Sequence, residues 1–392
     1  MPADRPVVVY MIAGEPSGDL LGGRLIEGLR ERAGRPVVVR GVGGPRMREA
    51  GLDPLFDLSE IAFMGVAEIL PRLPGLLERI RRTADDVARV RPDVLVTIDA
   101  PDFVFRVARR VRPLGIPVVH YVAPTVWAWR PGRAARVARS VDHLMTLLPF
   151  EPEHFVRVGL PATFVGHSVV ESGAGQGDGV RFRRAHGIGD EETVLTVLPG
   201  SRRGEVTRLL PIFGETVARL ARRHSGLRVV VPTVPNVAQL VGPAVAAWPV
   251  PTLVVGGEAE KFDAFAASRA ALACSGTVAL ELALAGLPAV VAYKVNPITA
   301  AIVRRLIRVP YVNLVNIMLG RMLVPELLQD DCTPERLEAA VGTLLSEGAA
   351  RQAQIAGVRD VAAWLGAGGE APSRRAAAVV LSVVADAVSR GR

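Results

Sequence analysis

The chain has 392 residues, of which 49% are hydrophobic and 22% charged, and this is the composition of a folded globular protein. Its length exceeds what one hydrophobic core usually serves, so we expect two domains. The net charge of +8 comes from scattered arginines, without a basic tail or basic residues interleaved with aromatics. That pattern disfavours a nucleic-acid partner and suits an anionic lipid surface or a phosphorylated substrate.

Cysteine usage and the lengths of apolar runs indicate the cellular compartment of the protein. Cys274 and Cys332 are far apart in the sequence and form no metal or redox motif. No apolar run approaches the roughly 20 residues of a membrane span, and the start of the chain lacks the apolar core of a signal peptide. We therefore expect a protein of the reducing cytoplasm.

The first half of the chain alternates short apolar segments with amphipathic ones. Continuous β-branched runs predict buried strands at 7–12, 37–40, 94–99, 118–122 and 144–148. Helices are predicted between them, most clearly at 75–90 and 102–112. The alternation indicates a parallel sheet with right-handed crossovers.

The glycine-rich segment 172–179 interrupts this alternation and predicts a linker. Beyond it, strands are predicted at 193–198, 227–231, 252–255, 270–274 and 288–293, and Ala-rich helices at 334–365 (broken inside) and 373–389. The expected fold is α/β, with two Rossmann-like, doubly wound domains facing a cleft. We place these domains at 1–171 and 180–365, with the helix at 366–392 packing back on the first domain or on a partner.

The segment 14–19, Gly-Glu-Pro-Ser-Gly-Asp, joins the first strand to an amphipathic helix. It lacks the glycine spacing of a dinucleotide-binding turn. It offers Glu15, Ser17 and Asp19 instead, which suit a hydroxyl-rich or amide-bearing partner such as a sugar. The alternative is a plain capped helix with Ser17 as the N-cap.

Asp99 lies at the predicted end of a central strand, because Pro101 stops that strand and Asp102 can cap the next helix. A carboxylate in this position can accept a proton from an attacking hydroxyl. The alternative is that Asp99 only fixes a loop.

Two of the four tryptophans, Trp127 and Trp129, lie in one loop after the strand at 118–122. Aromatic rings stack on sugar rings and fix their orientation. The alternative is a loop folded over the core.

In the second domain, two strands are each followed by small, hydroxylated residues at the start of a helix. The first segment ends in Arg202, which supplies charge for a phosphate. The second contains Ser275, Gly276 and Thr277, suited to a diphosphate, and Glu281 one turn later, suited to a ribose diol. The alternative is again a capped helix.

One stretch suggests contact with lipid. It carries eight apolar residues, namely Phe63, Met64, Val66, Ile69, Leu70, Leu73, Leu76 and Leu77, of which the first six are the candidate contacts. Arginines accompany and follow them, and Pro71, Pro74 and Gly75 are expected to break regular helix. Such a pattern is typical of an interfacial membrane contact, and the alternative is a core helix with a loop.

Taken together, these motifs make the chain resemble the lipid-A-disaccharide synthase family, bacterial glycosyltransferases with two Rossmann-like domains of the GT-B type. The matching segments follow the family's order and are 14–19, 43–47, 63–70, 98–103, 120–129, 148–151, 165–167, 198–202, 274–281, 316 and 324–326. Four positions depart from the family's pattern: Val104 replaces Asn, Ser168 replaces Pro, and Asn313 and Val315 replace Ser and Pro. These departures bear on local geometry and acyl-chain preference rather than on the reaction.

The resemblance implies an inverting transfer from UDP-2,3-diacylglucosamine to 2,3-diacylglucosamine 1-phosphate, giving a β-1,6-linked disaccharide 1-phosphate and UDP. It implies no metal, no cofactor and a site of action on the cytoplasmic face of the inner membrane; a homodimer is a further expectation. The residues it implies are Ser17, Asp99, Arg202, Glu281 and Asn316. Two alternatives share the architecture, a UDP-sugar 2-epimerase-like enzyme and a non-catalytic sugar-nucleotide-binding protein.

Overall fold

The computed structural model of the protein describes residues 5–61, 66–129, 132–296, 299–300, 305 and 309–390. The chain divides into two compact units. Unit 1 takes the chain up to Ser168 together with the chain from Gly368 onward, and unit 2 spans Val169–Ala367.

In the described part of unit 1, seven strands form one parallel sheet in the order β3-β2-β1-β4-β5-β6-β7. The strands are β1 (Val7–Ala13), β2 (Val37–Gly43), β3 (Leu52–Asp57), β4 (Val94–Ile98), β5 (Val118–Tyr121), β6 (His143–Thr146) and β7 (Ala162–Phe164). The central strands are apolar on both faces and buried, as helices covering both sides of a parallel sheet require.

The helices that follow these strands are α1 (Pro16–Arg32), α2 (Pro45–Glu49), α3 (Val66–Val90), α4 (Pro101–Val111), α5 (Val126–Trp129), α6 (Arg133–Ala138) and α7 (Glu151–Val156). Short 3₁₀ turns occupy Leu58–Glu60 and Arg112–Leu114. Proline occupies the first position of α1 and α4, where its missing N–H costs nothing. Glu15 and Ala100 are therefore the N-caps, and the predicted caps Ser17 and Asp102 lie inside their helices.

Unit 2 repeats the architecture with a six-stranded parallel sheet among its described residues, ordered β10-β9-β8-β11-β12-β13. Its strands are β8 (Thr193–Leu198), β9 (Leu227–Thr233), β10 (Thr252–Gly256), β11 (Ala270–Cys274), β12 (Ala289–Tyr293) and β13 (Glu326–Leu328). Its helices are α8 (Gly179–Ala185), α9 (Arg203–Ala221), α10 (Pro235–Val245), α11 (Glu258–Ala267), α12 (Val278–Leu284), α13 (Leu314–Leu319), α14 (Pro334–Leu345) and α15 (Ala349–Trp364). Further 3₁₀ turns lie at Ser168–Glu171, Ala174–Gln176 and Gln329–Asp331.

The last helix, α16 (Pro372–Ser389), belongs to unit 1. Its residues Ala377 and Val380 are fully buried in the same cluster as Leu25 of α1. The two helices approach closely, since a side chain at Gly28 would come within 2.9 Å of the Ser373 carbonyl oxygen. A core contact of this kind holds α16 on unit 1, the same unit to which α1 belongs.

The α/β prediction is confirmed, and the strands missed by the sequence analysis are β3, β7 and β13 at the sheet edges. The expected break in α3 was wrong, because the helix runs from Val66 through Pro71, Pro74 and Gly75. An interior proline removes one backbone hydrogen bond and crowds the carbonyl four residues before it, which can kink a long helix without ending it. No helix within the described residues is long and apolar enough to cross a membrane.

The segment 172–179 was predicted to be a linker, but it is packed onto unit 2. A β-carbon at Gly177 would lie 2.0 Å from the Phe262 carbonyl oxygen, and one at Gly179 would lie 2.5 Å from the Ala266 carbonyl oxygen. The amide of Asp178, between them, donates to the buried Asp263 carboxylate at 2.7 Å. These glycines permit close backbone approach rather than flexibility.

We predict that Gly177→Ala lowers the free energy of unfolding by about 1–3 kcal/mol, because the new methyl group must displace the backbone of α11. Urea denaturation followed by circular dichroism measures this. The matched control is Gly242→Ala in α10, where a β-carbon meets nothing within 4 Å and should leave stability unchanged or raised. An unchanged Gly177→Ala protein would restore the linker interpretation.

Candidate functional site

Each sheet has one point at which the order of its strands reverses, and ligands of such folds bind outside the strand ends there. In unit 1 this point lies between β1 and β4, which pair up to Ala13 and Ile98. In unit 2 it lies between β8 and β11, which pair up to Leu198 and Ala273. Ser17, Asp99, Arg202 and Ser275 come after these four strands in turn, whereas Trp127 follows β5 and Asn316 precedes β13.

Ser17 and Asp99 meet at the reversal point of unit 1. The Ser17 hydroxyl donates to Asp99 Oδ2 at 3.4 Å, and the Ala100 amide donates to Asp99 Oδ1 at 2.9 Å. Ser17 is exposed and Asp99 is half-buried, so both are accessible from solvent. The arrangement leaves a carboxylate that is held in place and can accept a proton.

The backbone under Asp99 is strained. Asp99 and Ala100 have φ values of 51° and 43°, and Val122 at the end of the neighbouring β5 has a φ of 80°. Left-handed φ is uncommon for residues other than glycine and is an outlier for a β-branched valine. The turn also requires Gly14, where a β-carbon would lie 2.2 Å from that of Ala100. Strain of this kind clusters at functional sites, and the sequence analysis did not detect it.

Asp19, predicted as a sugar contact, has another role. Its carboxylate is buried and accepts from the amides of Gly44 at 2.7 Å and of Arg46 and Met47 at 3.0 Å each. It thereby satisfies the first amides of α2. With its oxygens engaged and its side chain out of solvent, Asp19 is not available to a sugar, whereas Glu15 is exposed as the N-cap of α1.

Trp127 is held by a buried carboxylate. Its indole N–H donates to Glu151 Oε1 at 3.2 Å, and its ring meets Phe150 edge-on at 5.2 Å. Glu151 Oε2 accepts from the amides of Leu147 and Leu148, and burial raises the pKa of this carboxyl to about 7. The ring of Trp127 is half-buried with its polar group engaged, so it offers a fixed aromatic surface. The side chain of Trp129 lies outside the described part of the structure.

Unit 2 contains a cavity of about 450 Å³ at the reversal point of its sheet. Its walls come from the ends of β8, β9 and β11 and from the first turn of α11, and it is lined by Leu198, Gly200, Ser201, Glu205, Pro232, Thr233, Val234, Pro235, Gly257, Glu258, Lys261, Cys274, Ser275, Gly276, Thr277, Val278 and Glu281. Four predicted donor-site residues, Ser275, Gly276, Thr277 and Glu281, therefore face one cavity.

Two ion pairs lie at this cavity. Lys261 Nζ is 2.9 Å from Glu281 Oε2 and 3.1 Å from Oε1, and both side chains are 20% exposed. Arg202 Nη1 is 3.1 Å from Glu205 Oε1, but the Arg202 side chain is 75% exposed and does not line the cavity. The predicted residues Glu281 and Arg202 thus each have a partner that the sequence analysis did not identify.

Asn316 is fully buried and uses its whole amide group inside the protein. Its Nδ2 donates to the Val324 carbonyl oxygen and to Glu326 Oε1, both at 2.7 Å. Its Oδ1 accepts from the amides of Leu323 and Val324 at 2.9 Å. These contacts shape the loop before β13 and engage both donors and the acceptor oxygen of the amide, and the assignment of Asn316 to the sugar-nucleotide site stays a prediction.

Thr233 is a further cavity residue that the sequence analysis missed. Its hydroxyl is buried and has no hydrogen-bond partner among the residues the structure describes. A buried hydroxyl without a partner costs free energy unless a ligand or water satisfies it. Thr233 is the last residue of β9. In the sequence, its position near the end of a predicted strand was the only signal that could have pointed to it.

The predicted lipid contact falls largely on residues without described side chains. Phe63 and Met64 lie outside the described residues, and Val66, Ile69, Leu70 and Leu73 are described only as backbone of α3. Of the arginines that follow, Arg79 is paired with Glu60, and Arg81 is paired with Glu78 at 2.9 Å. Their attraction to anionic lipid is correspondingly weaker than that of unpaired cations.

Comparison with known proteins separates fold from family. The chain is similar in fold to the glycotransferase of kitacinnamycin (TM-score 0.64, 19% identity, 97% of this chain and 99% of that one). It is also similar to a UDP-GlcNAc 2-epimerase from Neisseria meningitidis bound to UDP-GlcNAc (TM-score 0.60, 12% identity, 97% and 100%). At these identities the likeness shows the shared two-domain architecture alone.

Sequence similarity is far closer to one family. The chain is 62% identical over 390 residues to the lipid-A-disaccharide synthase of Rhodospirillum centenum, covering 99% of this chain and 97% of the relative. The family model of lipid-A-disaccharide synthetase matches residues 9–379, which include the Ser17–Asp99 pair and the whole cavity of unit 2. The chain therefore belongs to the lipid-A-disaccharide synthetase family and is a glycosyltransferase.

Proposed function

We propose that the enzyme joins UDP-2,3-diacylglucosamine to 2,3-diacylglucosamine 1-phosphate, releasing UDP and the β-1,6-linked disaccharide 1-phosphate. The observation that carries this is the 62% identity, over nearly the whole chain, to a lipid-A-disaccharide synthase. The acceptor's 6-hydroxyl attacks the anomeric carbon as the bond to UDP breaks, which inverts that carbon. The hydroxyl proton passes to a base, and the transition state has oxocarbenium character as in other glycosyl transfers.

Asp99 is the proposed base. Its carboxylate is half-buried, is held by Ser17 and the Ala100 amide, and is set on a strained turn. Fixed orientation lowers the entropy that the carboxylate must lose when it meets the hydroxyl. Ser17 supports this geometry and is the second residue proposed to act in unit 1, with Glu15, Trp127 and Trp129 as candidates for sugar contacts.

The cavity of unit 2 is the proposed donor site. Ser275, Gly276 and Thr277 offer hydroxyls and closely approachable backbone to the diphosphate, and Glu281 can accept from the ribose diol. Arg202 is exposed next to the cavity, and its ion pair within the described residues is with Glu205, so a diphosphate can compete for its guanidinium. Positive charge there stabilises the negative charge that develops on the departing UDP.

The test is a direct assay. Purified enzyme is incubated in detergent with both lipid substrates, and the disaccharide and UDP are measured by mass spectrometry. Equal amounts of disaccharide and UDP are expected, with no UDP when the acceptor is omitted. An epimerase would instead convert the donor sugar at C2 without acceptor, and a binding protein would form no product.

We predict that Asp99→Asn lowers kcat by roughly 10²–10⁴, the usual contribution of a positioned base, while leaving UDP affinity unchanged. The matched control is Asp102→Asn, three residues along the chain, whose side chain is 97% exposed. Near wild-type turnover in Asp99→Asn, or an equal loss in Asp102→Asn, would remove Asp99 from the role of base.

We predict that Thr233→Val weakens UDP binding severalfold, measured by calorimetry, without lowering the free energy of unfolding, because the lost hydroxyl has no partner in the described protein. Thr196→Val provides the contrast. Thr196 Oγ1 is buried and 2.8 Å from Ser268 Oγ, so that variant should lose about 1 kcal/mol of stability and keep its UDP affinity. Unaltered UDP binding in Thr233→Val would place the ligand elsewhere.

We further propose that the enzyme works at the cytoplasmic face of the inner membrane and takes both acylated substrates from the lipid surface through the segment 63–73. Support comes from the apolar pattern of this segment and from Leu77, one turn beyond it on α3, which is 43% exposed. Apolar side chains on a helix at a membrane surface bind by burial in the interface.

We predict that the triple substitution of Val66, Ile69 and Leu73 by Ser weakens binding to anionic phospholipid vesicles at both low and high salt, because the main contact is apolar. UDP affinity should not change. Replacing Val156 and Val158, which are 56% and 40% exposed on unit 1, by Ser serves as the control for lost surface hydrophobicity. A folded triple variant that binds vesicles as the wild type does would exclude this contact surface, and an unfolded one would assign the side chains to the core.

A further inference from the structure

Within the described residues, Lys261 and Glu281 form the one contact between charged side chains that joins two helices bordering the cavity. Lys261 lies in the first turn of α11, and its partner Glu281 lies in α12. The ammonium bridges both carboxylate oxygens, at 2.9 and 3.1 Å, and lies 4.6 Å from the centroid of the buried Phe262 ring. Both charged side chains also line the cavity.

We infer that Lys261 is a positioning residue that orients the Glu281 carboxylate toward the ribose diol of the bound nucleotide. This inference rests on the proposed function, since it assumes that a uridine nucleotide occupies the cavity. The sequence motifs did not include Lys261, and it lies 20 residues before its partner.

The geometry supports an indirect role. Each carboxylate oxygen has two lone pairs, and Lys261 engages one on each oxygen, which leaves the others free to accept from a diol. Half-burial of both side chains strengthens the pair relative to one in bulk water and restricts the rotamers of Glu281. Glu205 and Glu258 also line the cavity, so a Glu281 carboxylate without its lysine would sit among like charges and lose its fixed orientation.

The choice of side chain is consistent with this role. Lys261 and Lys294 are the two lysines in a chain with 47 lysines and arginines. An ammonium is a compact point charge that can bridge one carboxylate, whereas a guanidinium is a planar fork that spreads its donors over a larger area. The contact of Lys261 with the Phe262 ring further holds the ammonium in place.

The test pairs a variant with a change in the ligand. Affinities of the full-length wild type and of Lys261→Met are measured by calorimetry for UDP and for 2′,3′-dideoxyuridine 5′-diphosphate, which lacks the diol. If Lys261 acts through Glu281, the Lys261→Met variant should bind UDP about tenfold more weakly than the wild type does. Its affinity for the dideoxy nucleotide should fall by about twofold at most. The double variant Lys261→Met/Glu281→Gln should then bind UDP no more weakly than Glu281→Gln alone.

Three results would overturn the inference: equal losses for both nucleotides, which would make Lys261 a direct diphosphate contact or a purely structural residue; unchanged UDP affinity; or tighter UDP binding. The control is Arg228→Met, which removes a similar half-buried ion pair with Glu192, at 2.8 Å, outside the cavity. It should alter neither affinity. A wild-type protein that binds neither nucleotide would reject the proposed donor site itself, which separates the two failures.

Discussion

The functional geometry of both units depends on the reversal of strand order in a parallel sheet. Right-handed crossovers oblige the chain to leave neighbouring central strands toward opposite faces, and the loops that follow those strands diverge. The divergence opens a crevice beside β1 and β4 in unit 1 and beside β8 and β11 in unit 2. Ser17 and Asp99 occupy the first crevice, and the cavity that contains Glu281 occupies the second.

Buried polar groups near these crevices fall into two kinds, those that the protein satisfies and those that it leaves for a ligand. Asp19 and Asn316 are satisfied by backbone groups and hold the surrounding loops in shape. Within the described residues, the Thr233 hydroxyl lacks a hydrogen-bond partner, and the Glu281 carboxylate is paired with Lys261 and keeps lone pairs for a ligand. Since an unsatisfied buried group costs more than an average hydrogen bond gains, the second kind indicates where binding free energy is available.

The sequence predicted the central strands well because they are continuous β-branched runs covered on both faces. The edge strands β7 and β13 have three half-exposed residues each, and three of the six β3 residues are exposed, Pro54 among them, so their patterns resemble those of loops. Motifs located the reversal points, but they could not show which polar side chains form hydrogen bonds within the folded protein. The ion pair of Lys261 and Glu281 and the left-handed backbone of Val122 depend on tertiary packing, which overrides local preference.

The position of α16 also sets the order in which the protein can be made. Unit 2 is a continuous segment, whereas unit 1 is completed by the last helix of the chain, which buries the apolar face of α1. During synthesis, unit 1 therefore begins before unit 2 and is completed after it. Until α16 is translated, the apolar face of α1 stays open to water, and unit 1 of a nascent chain that stops before this helix remains incomplete.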